Sequence, residues 1–300
     1  MTLLVLTHDA CLLHDPGPGH PERPARLLAA RRGIAASGVA HEIAQAPRVD
    51  LALARQTHVP THVSAVEAAC AGGNWIDADT YAGHDSWEAA LRAAGAAVEA
   101  ARAAERGEPA FALCRPPGHH ATRASAMGFC LLNNVAIAAH DLTTRGRRVA
   151  IVDIDVHHGN GTQDIFFERA DVLYVSLHGW PLYPGTGRAE ETGRGAGLGT
   201  TLNIPLAAGT KHDAYLAALD GLAMPKVRSF APDVILISVG FDADARDPLG
   251  NLALGPRTYH EAVAKLRDAQ PRIAAILEGG YDLAAVEEGT AAVCQALVRI

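Results

Sequence analysis

The sequence predicts an α/β protein built on a single central, mostly parallel β-sheet flanked by helices. From about residue 85, helical stretches rich in Ala, Leu and Arg alternate with short apolar runs that end in Gly, His or Asp. This alternation is typical of repeated βα units, because parallel strands are joined by helical crossovers. The apolar runs are nearly continuous, which indicates strands that are buried on both faces.

The elements are expected in the following order. A first strand opens the chain in MTLLVLTHDA, and five buried strands follow at 111–115, 149–155, 172–178, 234–240 and 273–280. Helices are expected at 86–107, at 132–146, in a long stretch after Lys211 and from Asp282 to the chain end. Two loops rich in Gly and Pro lie at 14–26 and 183–200, and a long loop in a compact domain is usually functional.

The composition favours one globular domain over residues 1–300. Hydrophobic residues make up 49% of the chain and charged residues 20%, which provides for a large core. The net charge of −7 predicts neither nucleic acid nor an anionic membrane as a partner. Five scattered cysteines and the lack of a signal-like or membrane-spanning start favour a reducing cytoplasm. The composition is compatible with an oligomer.

Ionisable side chains follow each of the five buried strands at the point where the strand ends. The carboxyl ends of parallel strands meet at one edge of a sheet, so these side chains should lie close together. They are His119 and His120, then Asp153, Asp155 and His157, then Ser176 and His178, then Asp242 and Asp244, and finally Tyr281 and Asp282.

Asp155, His157 and Asp242 are the candidate metal ligands. Asp153, Asp155 and His157 alternate, so they would share one face if the strand continued. Two carboxylates and one imidazole with room for a water form the open arrangement of a catalytic zinc site. Iron accepts the same mixed oxygen and nitrogen set. Solvated turn residues would give the same D-x-D-x-H pattern, but the second aspartate at a strand end argues against that alternative.

His119 and His120 are the candidate acid and base. They follow the rigid turn at 116–118, where both rings can reach one reacting centre. Asp153 could accept a hydrogen bond from one ring and Asn160 from the other. A carboxylate favours the imidazolium ion and an amide does not, so the two histidines should differ in pKa. A structural role is the alternative for each histidine of the pair.

Tyr281 is the candidate oxyanion donor. It follows Gly279 and Gly280 at a strand end, where a phenol can point into the site. The alternative is the usual role of a tyrosine, a partly buried ring with a satisfied hydroxyl.

Six segments together resemble the histone deacetylase and acetylpolyamine amidohydrolase superfamily. They are HDPGPGHPERPARL, RPPGHHA with GFCLLNN, VDIDVHHGNGTQDIF, YPGTG, GFDADARDPLG and LEGGYDL, and they follow the family's order. The resemblance implies a single deacetylase domain with the arginase-deacetylase fold and long active-site loops. It implies zinc on Asp155, His157 and Asp242. A potassium ion is implied beside it, on Asp153, Asp155, His157, Ser176 and Leu177.

The resemblance also implies a role for each site residue. His119, paired with Asp153, and His120, near Asn160, would share the base and acid duties, and Tyr281 would stabilise the oxyanion. The tunnel would be lined by Gly128, Phe129, Tyr183 and Leu249, and Arg26 would line an internal cavity for acetate. Asn160 and the GGY segment resemble the class II branch, whereas Tyr183 stands where many relatives have Phe. Asp244 is expected to be solvated, although arginases use a metal-binding Asp at this spacing.

The implied function is a zinc-dependent amidohydrolase that removes acetyl or other short acyl groups from the ε-amine of lysine in proteins or peptides. An acetylpolyamine amidohydrolase acting on a small acetylated amine is the first alternative, because Asp77 and Asp79 could hold a remote ammonium, although Leu249 is neutral. An arginase-like ureohydrolase is disfavoured, since Gly159 stands where a bridging carboxylate is needed. The intact catalytic set disfavours a non-catalytic reader.

Overall fold

The computed structural model describes residues 1–299 and contains an eight-stranded parallel sheet with the order β2-β1-β5-β10-β9-β6-β7-β8. A two-stranded antiparallel hairpin, β3-β4, lies outside it. The strands are β1 (Leu3–Thr7), β2 (His41–Gln45), β3 (Asn74–Trp75), β4 (Tyr81–Ala82), β5 (Ala110–Ala112), β6 (Val149–Asp153), β7 (Val172–Trp180), β8 (Thr201–Ala207), β9 (Val234–Val239) and β10 (Ile273–Leu277). The predicted parallel sheet is confirmed.

Helices cover both faces of the sheet and divide the core into two apolar clusters, one on each side. They are α1 (Ala10–Leu13), α2 (Ala25–Ala36), α3 (Leu51–Thr57), α4 (Pro60–Gly72), α5 (Ser86–Glu105), α6 (Asn134–Thr144), α7 (Asn160–Phe166), α8 (His212–Ala218), α9 (Met224–Phe230), α10 (Pro256–Ala269) and α11 (Leu283–Val298). A π-helical stretch, Leu219–Ala223, joins α8 to α9. Among residues 1–299, none of the helices has both the length and the apolar character needed to cross a membrane.

The central strands β6, β9 and β10 are buried along their whole length, in agreement with their nearly continuous apolar sequences. Within the eight-stranded sheet, the pattern of apolar runs did not predict the two edge strands, β2 and β8. Strand β2, with the sequence HEIAQ, is largely exposed, and β8 includes a proline. A strand at a sheet edge carries polar residues and proline because one side of its backbone has no partner strand.

Four neighbouring strands position the site. In the order β5-β10-β9-β6, the carboxyl ends of four adjacent strands lie side by side. The histidine pair follows β5, Tyr281 follows β10, Asp242 follows β9 and the Asp155–His157 segment follows β6. Strand β6 ends at Asp153, two residues earlier than predicted. Asp155 and His157 are instead held by a tight turn, in which the Asp155 N–H donates to Asp153 and the His157 N–H donates to Asp155.

Candidate active site

Asp155, His157 and Asp242 come together at the carboxyl ends of β6 and β9. One potential ligand atom from each lies within 4.8 Å of the other two, and all three residues are buried. Nδ1 of His157 lies 3.2 Å from an oxygen of each carboxylate. Backbone N–H groups hold the remaining oxygens, since Gly279 donates to Asp155 Oδ2 at 2.8 Å and Val156 donates to Asp242 Oδ1 at 2.9 Å. The backbone therefore orients both carboxylates toward one point.

Two glycines make this approach possible. A Cβ atom at Gly240 would overlap the Asp155 carboxylate, and one at Gly279 would overlap that of Asp242. Gly240 directly follows β9 and Gly279 lies two residues after β10, so the carboxylates pack against bare backbone. Any side chain at either position would push a carboxylate away from the cluster.

The electrostatics of this cluster fit a bound cation. Both carboxylates are completely buried. Burial and the charge of Asp155 raise the pKa of Asp242 to about 7. Burial alone would lower the pKa of His157, but its hydrogen bonds to Asp155 and Asp242 raise it to about 10. Two carboxylates held this close in a dry site require a positive partner, and mixed oxygen and nitrogen ligands suit a borderline divalent ion such as zinc.

The two histidines lie with their ring centroids 4.1 Å apart, and their partners differ as predicted. His119 Nδ1 donates to Asp153 Oδ2 at 3.0 Å, and His120 Nδ1 donates to Asn160 Oδ1 at 2.8 Å. Burial alone would lower the pKa of His119, but the charges of Asp153 and Asp155 outweigh it and raise the pKa to about 10. Burial and the charge of His119 hold the pKa of His120 well below its usual range. The carboxylate beside His119 therefore favours the protonated form of that ring, whereas His120 beside an amide favours the neutral form, whose Nε2 can accept a proton.

Glu278 fixes the loop that carries this pair. Its Oε2 accepts from the N–H of Gly118 at 2.7 Å and of His119 at 3.1 Å, and Ser238 donates to its other oxygen. Burial raises the pKa of Glu278 to about 7. A carboxyl group at the end of β10 thus orients the backbone that follows β5.

A narrow cavity of about 240 Å³ leads to the cluster. It is below the roughly 300–1,000 Å³ of a drug-sized pocket, and its size suits an unbranched chain. Tyr183 and Leu249 are exposed and mark its open end. Partial burial and the charge of Asp79 raise the pKa of the Tyr183 phenol. The walls are formed by Asp79, His120, Gly128, Phe129, His157, Leu182, Tyr183, Leu249 and Tyr281. All four predicted tunnel residues are among them.

Gly128 cannot carry a side chain without obstructing this cavity. Its φ is +56°, and a Cβ would lie 2.7 Å from His120 Cδ2 and 3.0 Å from the Tyr183 hydroxyl. Gly128→Ala is expected to lower kcat/KM for an acetylated substrate by about tenfold or more, since overpacking costs about 1–3 kcal/mol. Gly146→Ala is the matched control, because its φ is +74° and its Cβ would meet open space. Unchanged kcat/KM in Gly128→Ala would contradict the assignment of this wall.

Tyr281 lies on the cavity wall next to Phe129, with ring centroids 5.7 Å apart in an edge-to-face arrangement. The guanidinium of Arg26 lies on its other side, with Cζ 4.9 Å from the ring centroid. Arg26 is completely buried, where its guanidinium forms an ion pair with Glu22 at 2.8 Å. The ring of Tyr281 is therefore packed between an aromatic wall and a fixed cation.

Comparisons with known proteins agree with this geometry. A family model described as the histone deacetylase domain matches residues 20–297. The chain belongs to the histone deacetylase family. A probable deacetylase from Archaeoglobus fulgidus is 39% identical over 291 residues, which cover 93% of this chain and 81% of that protein. The resemblance that was found in the sequence is thus confirmed, and the protein is a hydrolase of the deacetylase and amidohydrolase family.

Two solved structures share the fold over 99% of this chain. The HD domain of HDA15 superposes with a TM-score of 0.95 at 38% identity, and the match covers 89% of that domain. An acetylpolyamine aminohydrolase from Burkholderia pseudomallei superposes with a TM-score of 0.92 at 30% identity, and the match covers 99% of that chain. This deacetylase-family protein therefore shares its fold with both the HDA15 domain and an acetylpolyamine aminohydrolase.

Of the residues implied for potassium, Asp153 ends β6, and Ser176 and Leu177 lie on β7. Asp153 pairs in register with Ser176, and Leu177 follows it, completely buried. His178 Nε2 donates to the carbonyl of Gly187, so its Nδ1 accepts the Ser176 hydroxyl at 2.8 Å. The Ser176 oxygen thus keeps lone pairs for another partner, which fits an oxygen-liganded cation.

Asp244 corrects an expectation from the sequence. It is only 3% exposed, so it is not solvated. Arg246 binds its carboxylate through two nitrogens, at 2.8 and 3.0 Å, and reaches Glu288 as well. In this deacetylase-family fold, Asp244 thus anchors an arginine beside the site.

Sequence reasoning missed Leu182 on the cavity wall and did not single out Glu278 or Asp247. Leu182 directly precedes Tyr183. The two carboxyl residues lie inside the LEGGYDL and GFDADARDPLG segments. Their position in those segments was the available signal, but most of their hydrogen-bond partners are backbone N–H groups on other loops.

Proposed function

We propose that this hydrolase uses zinc to remove acetyl groups from the ε-amine of lysine in proteins or peptides. The observation that carries the proposal is a buried Asp–His–Asp cluster at the closed end of a narrow cavity, with a neutral histidine and a tyrosine on its walls. A single domain over residues 1–300 and a reducing cytoplasm, which suits five buried free cysteines, complete the proposal.

Asp155, His157 and Asp242 would hold the zinc ion. Bound there, zinc would lower the pKa of a water molecule and polarise the acetyl carbonyl. Asp153, Ser176 and Leu177, together with Asp155 and His157, would hold potassium beside it. The end of β7 supports this assignment, because the Ser176 oxygen keeps lone pairs beside the buried Asp153 carboxylate.

His120 is the general base and then the general acid in this proposal. Its Nδ1–H donates to Asn160, so the lone pair on Nε2 can take a proton from the attacking water. As the C–N bond breaks, the same proton goes to the leaving amine, which gives acetate and free lysine. His119 remains an imidazolium ion paired with Asp153, and its charge stabilises the negative transition state.

Tyr281 donates its phenol O–H to the oxygen that becomes negative when water adds to the carbonyl. Its ring is buried between Phe129 and Arg26, so its direction is set before substrate binds. A fixed donor of this kind is worth roughly 2.7–4 kcal/mol in acyl transfer.

A second candidate substrate is an N-acetylated polyamine, and Asp79 is the observation that favours it. Its carboxylate lines the cavity near Tyr183, where it could bind a remote ammonium group. Leu249 at the same opening is neutral and favours the lysine substrate.

The substrate is tested by measuring kcat/KM of the zinc-loaded protein on an acetyl-lysine peptide and on N-acetylspermidine. The peptide is expected to be the better substrate, and Asp79→Asn is expected to affect the two substrates unequally, because a carboxylate binds an ammonium more strongly than a neutral amide. Equal or faster turnover of N-acetylspermidine would refute the lysine assignment.

A further inference from the structure

Asp247 joins three backbone groups on two loops of the site. Its Oδ2 accepts from the N–H of Tyr281 at 2.6 Å and of Asp282 at 3.0 Å. Its Oδ1 accepts from the N–H of Leu249 at 3.0 Å. The residue is buried, with 8% of its surface exposed. One carboxylate thus connects the loop after β9, which carries the cavity rim, with the loop after β10, which carries the oxyanion donor.

The segment 278–282 is held from its other side by Arg26. The guanidinium donates to the carbonyl of Glu278 at 2.6 Å and to that of Gly280. Gly280 has a φ of +109°, a conformation that glycine adopts readily. Its carbonyl accepts from Arg26, and the next N–H, that of Tyr281, donates to Asp247. The carbonyls of this segment therefore meet a cation and its N–H groups meet an anion, so the backbone that carries Tyr281 cannot rotate freely.

We propose that Asp247 is a positioning residue that sets the place of the Tyr281 hydroxyl relative to the metal ligand Asp242. The inference rests on the proposed role of Tyr281 as oxyanion donor. Asp247 lies close to Asp242 in the sequence and contacts the backbone of Tyr281 directly. It therefore connects the proposed oxyanion donor to the loop that carries the proposed metal ligand. A displacement of about 1 Å in a catalytic group can cost about 10²-fold in rate, which makes such a tie significant.

Asp247→Asn isolates this function because it keeps the size of the side chain. Asparagine offers one carbonyl oxygen, so its amide N–H₂ must face either the Leu249 N–H or the pair at Tyr281 and Asp282. The N–H₂ donor of asparagine then faces a backbone N–H donor, and this unfavourable contact displaces the loop. We expect kcat to fall about 10- to 100-fold with KM changed less than kcat, while bound metal stays at the parent level.

A double-mutant cycle separates positioning from mere structural support. In the Tyr281→Phe background there is no hydroxyl to position, so Asp247→Asn should cost less than about threefold in kcat. Asp141→Asn is the control, because it also alters a buried carboxylate but lies far away in an ion pair with Arg102. Its effect, whatever its size, should be the same in both backgrounds.

The outcomes distinguish the two proposals. If Tyr281→Phe alone leaves kcat unchanged, the assigned role of Tyr281 is wrong. If it lowers kcat but Asp247→Asn costs the same in both backgrounds, the mechanism stands and the positioning role is refuted.

Amide hydrogen exchange gives a readout that needs no substrate. Asp247→Asn should speed exchange in the segment 279–283 and leave the segment 273–277 of β10 at the parent rate. Unchanged exchange in 279–283 would overturn the inference, and this result does not depend on the choice of substrate.

Discussion

Asp155→Ala is expected to remove bound metal and turnover together. Asp155 offers one of three ligand atoms within 4.8 Å, and two ligands cannot hold zinc in a catalytic geometry. Loss of the metal forfeits several kcal/mol of transition-state stabilisation, on the order of 10³-fold or more in kcat. Metal content by mass spectrometry and kcat on the acetyl-lysine peptide are the two measurements.

A matched control is Asp213→Ala, which removes a fully exposed carboxylate at the start of α8. It should retain one equivalent of zinc and parental kcat. Circular dichroism should show both variants folded. A folded Asp155→Ala protein that keeps both zinc and turnover would refute the metal site.

His120→Ala should retain the metal and lose the chemistry. The imidazole is the neutral member of the pair, so its loss removes the proton acceptor, and general base catalysis contributes about 10²–10⁴-fold. We expect kcat to fall within that range while zinc content is unchanged. Steady-state kinetics beside metal analysis tests this.

His140→Ala on α6 serves as the comparison, since that ring is only partly buried and lies outside the site. It should keep parental kcat. A fall in kcat of less than tenfold for His120→Ala would assign the base to another group, and His119 would be the next residue to replace.

Much of the site could be predicted because each group lies in the segment that follows the carboxyl end of an apolar strand. The chemistry of Asp153 and Asn160, a carboxylate and an amide in the same segment, predicted that the two rings have different partners. The resemblance to the family implied that Asp153 pairs with His119. The predicted difference in pKa between the two rings is confirmed in direction.

The rest could not be predicted for identifiable physical reasons. Glu278 and Asp247 act through backbone N–H groups of loops that are distant in sequence, and a backbone partner leaves no residue pattern. Burial of Asp244 depends on Arg246, and such short-range pairs look the same in sequence whether they are buried or solvated. Strand β6 ends early because the side chain of Asp153 accepts the hydrogen bond of the Asp155 N–H.

The strand order also bears on how the protein is made. Strands β9 and β10 come last in the chain, yet they lie in the middle of the sheet between β5 and β6. During synthesis, the sheet cannot be completed between β5 and β6 until residue 277 has left the ribosome. Such non-local pairing folds slowly and leaves apolar surface exposed in the meantime. Asp242 follows one of the last strands to arrive, so the three candidate metal ligands come together late in synthesis.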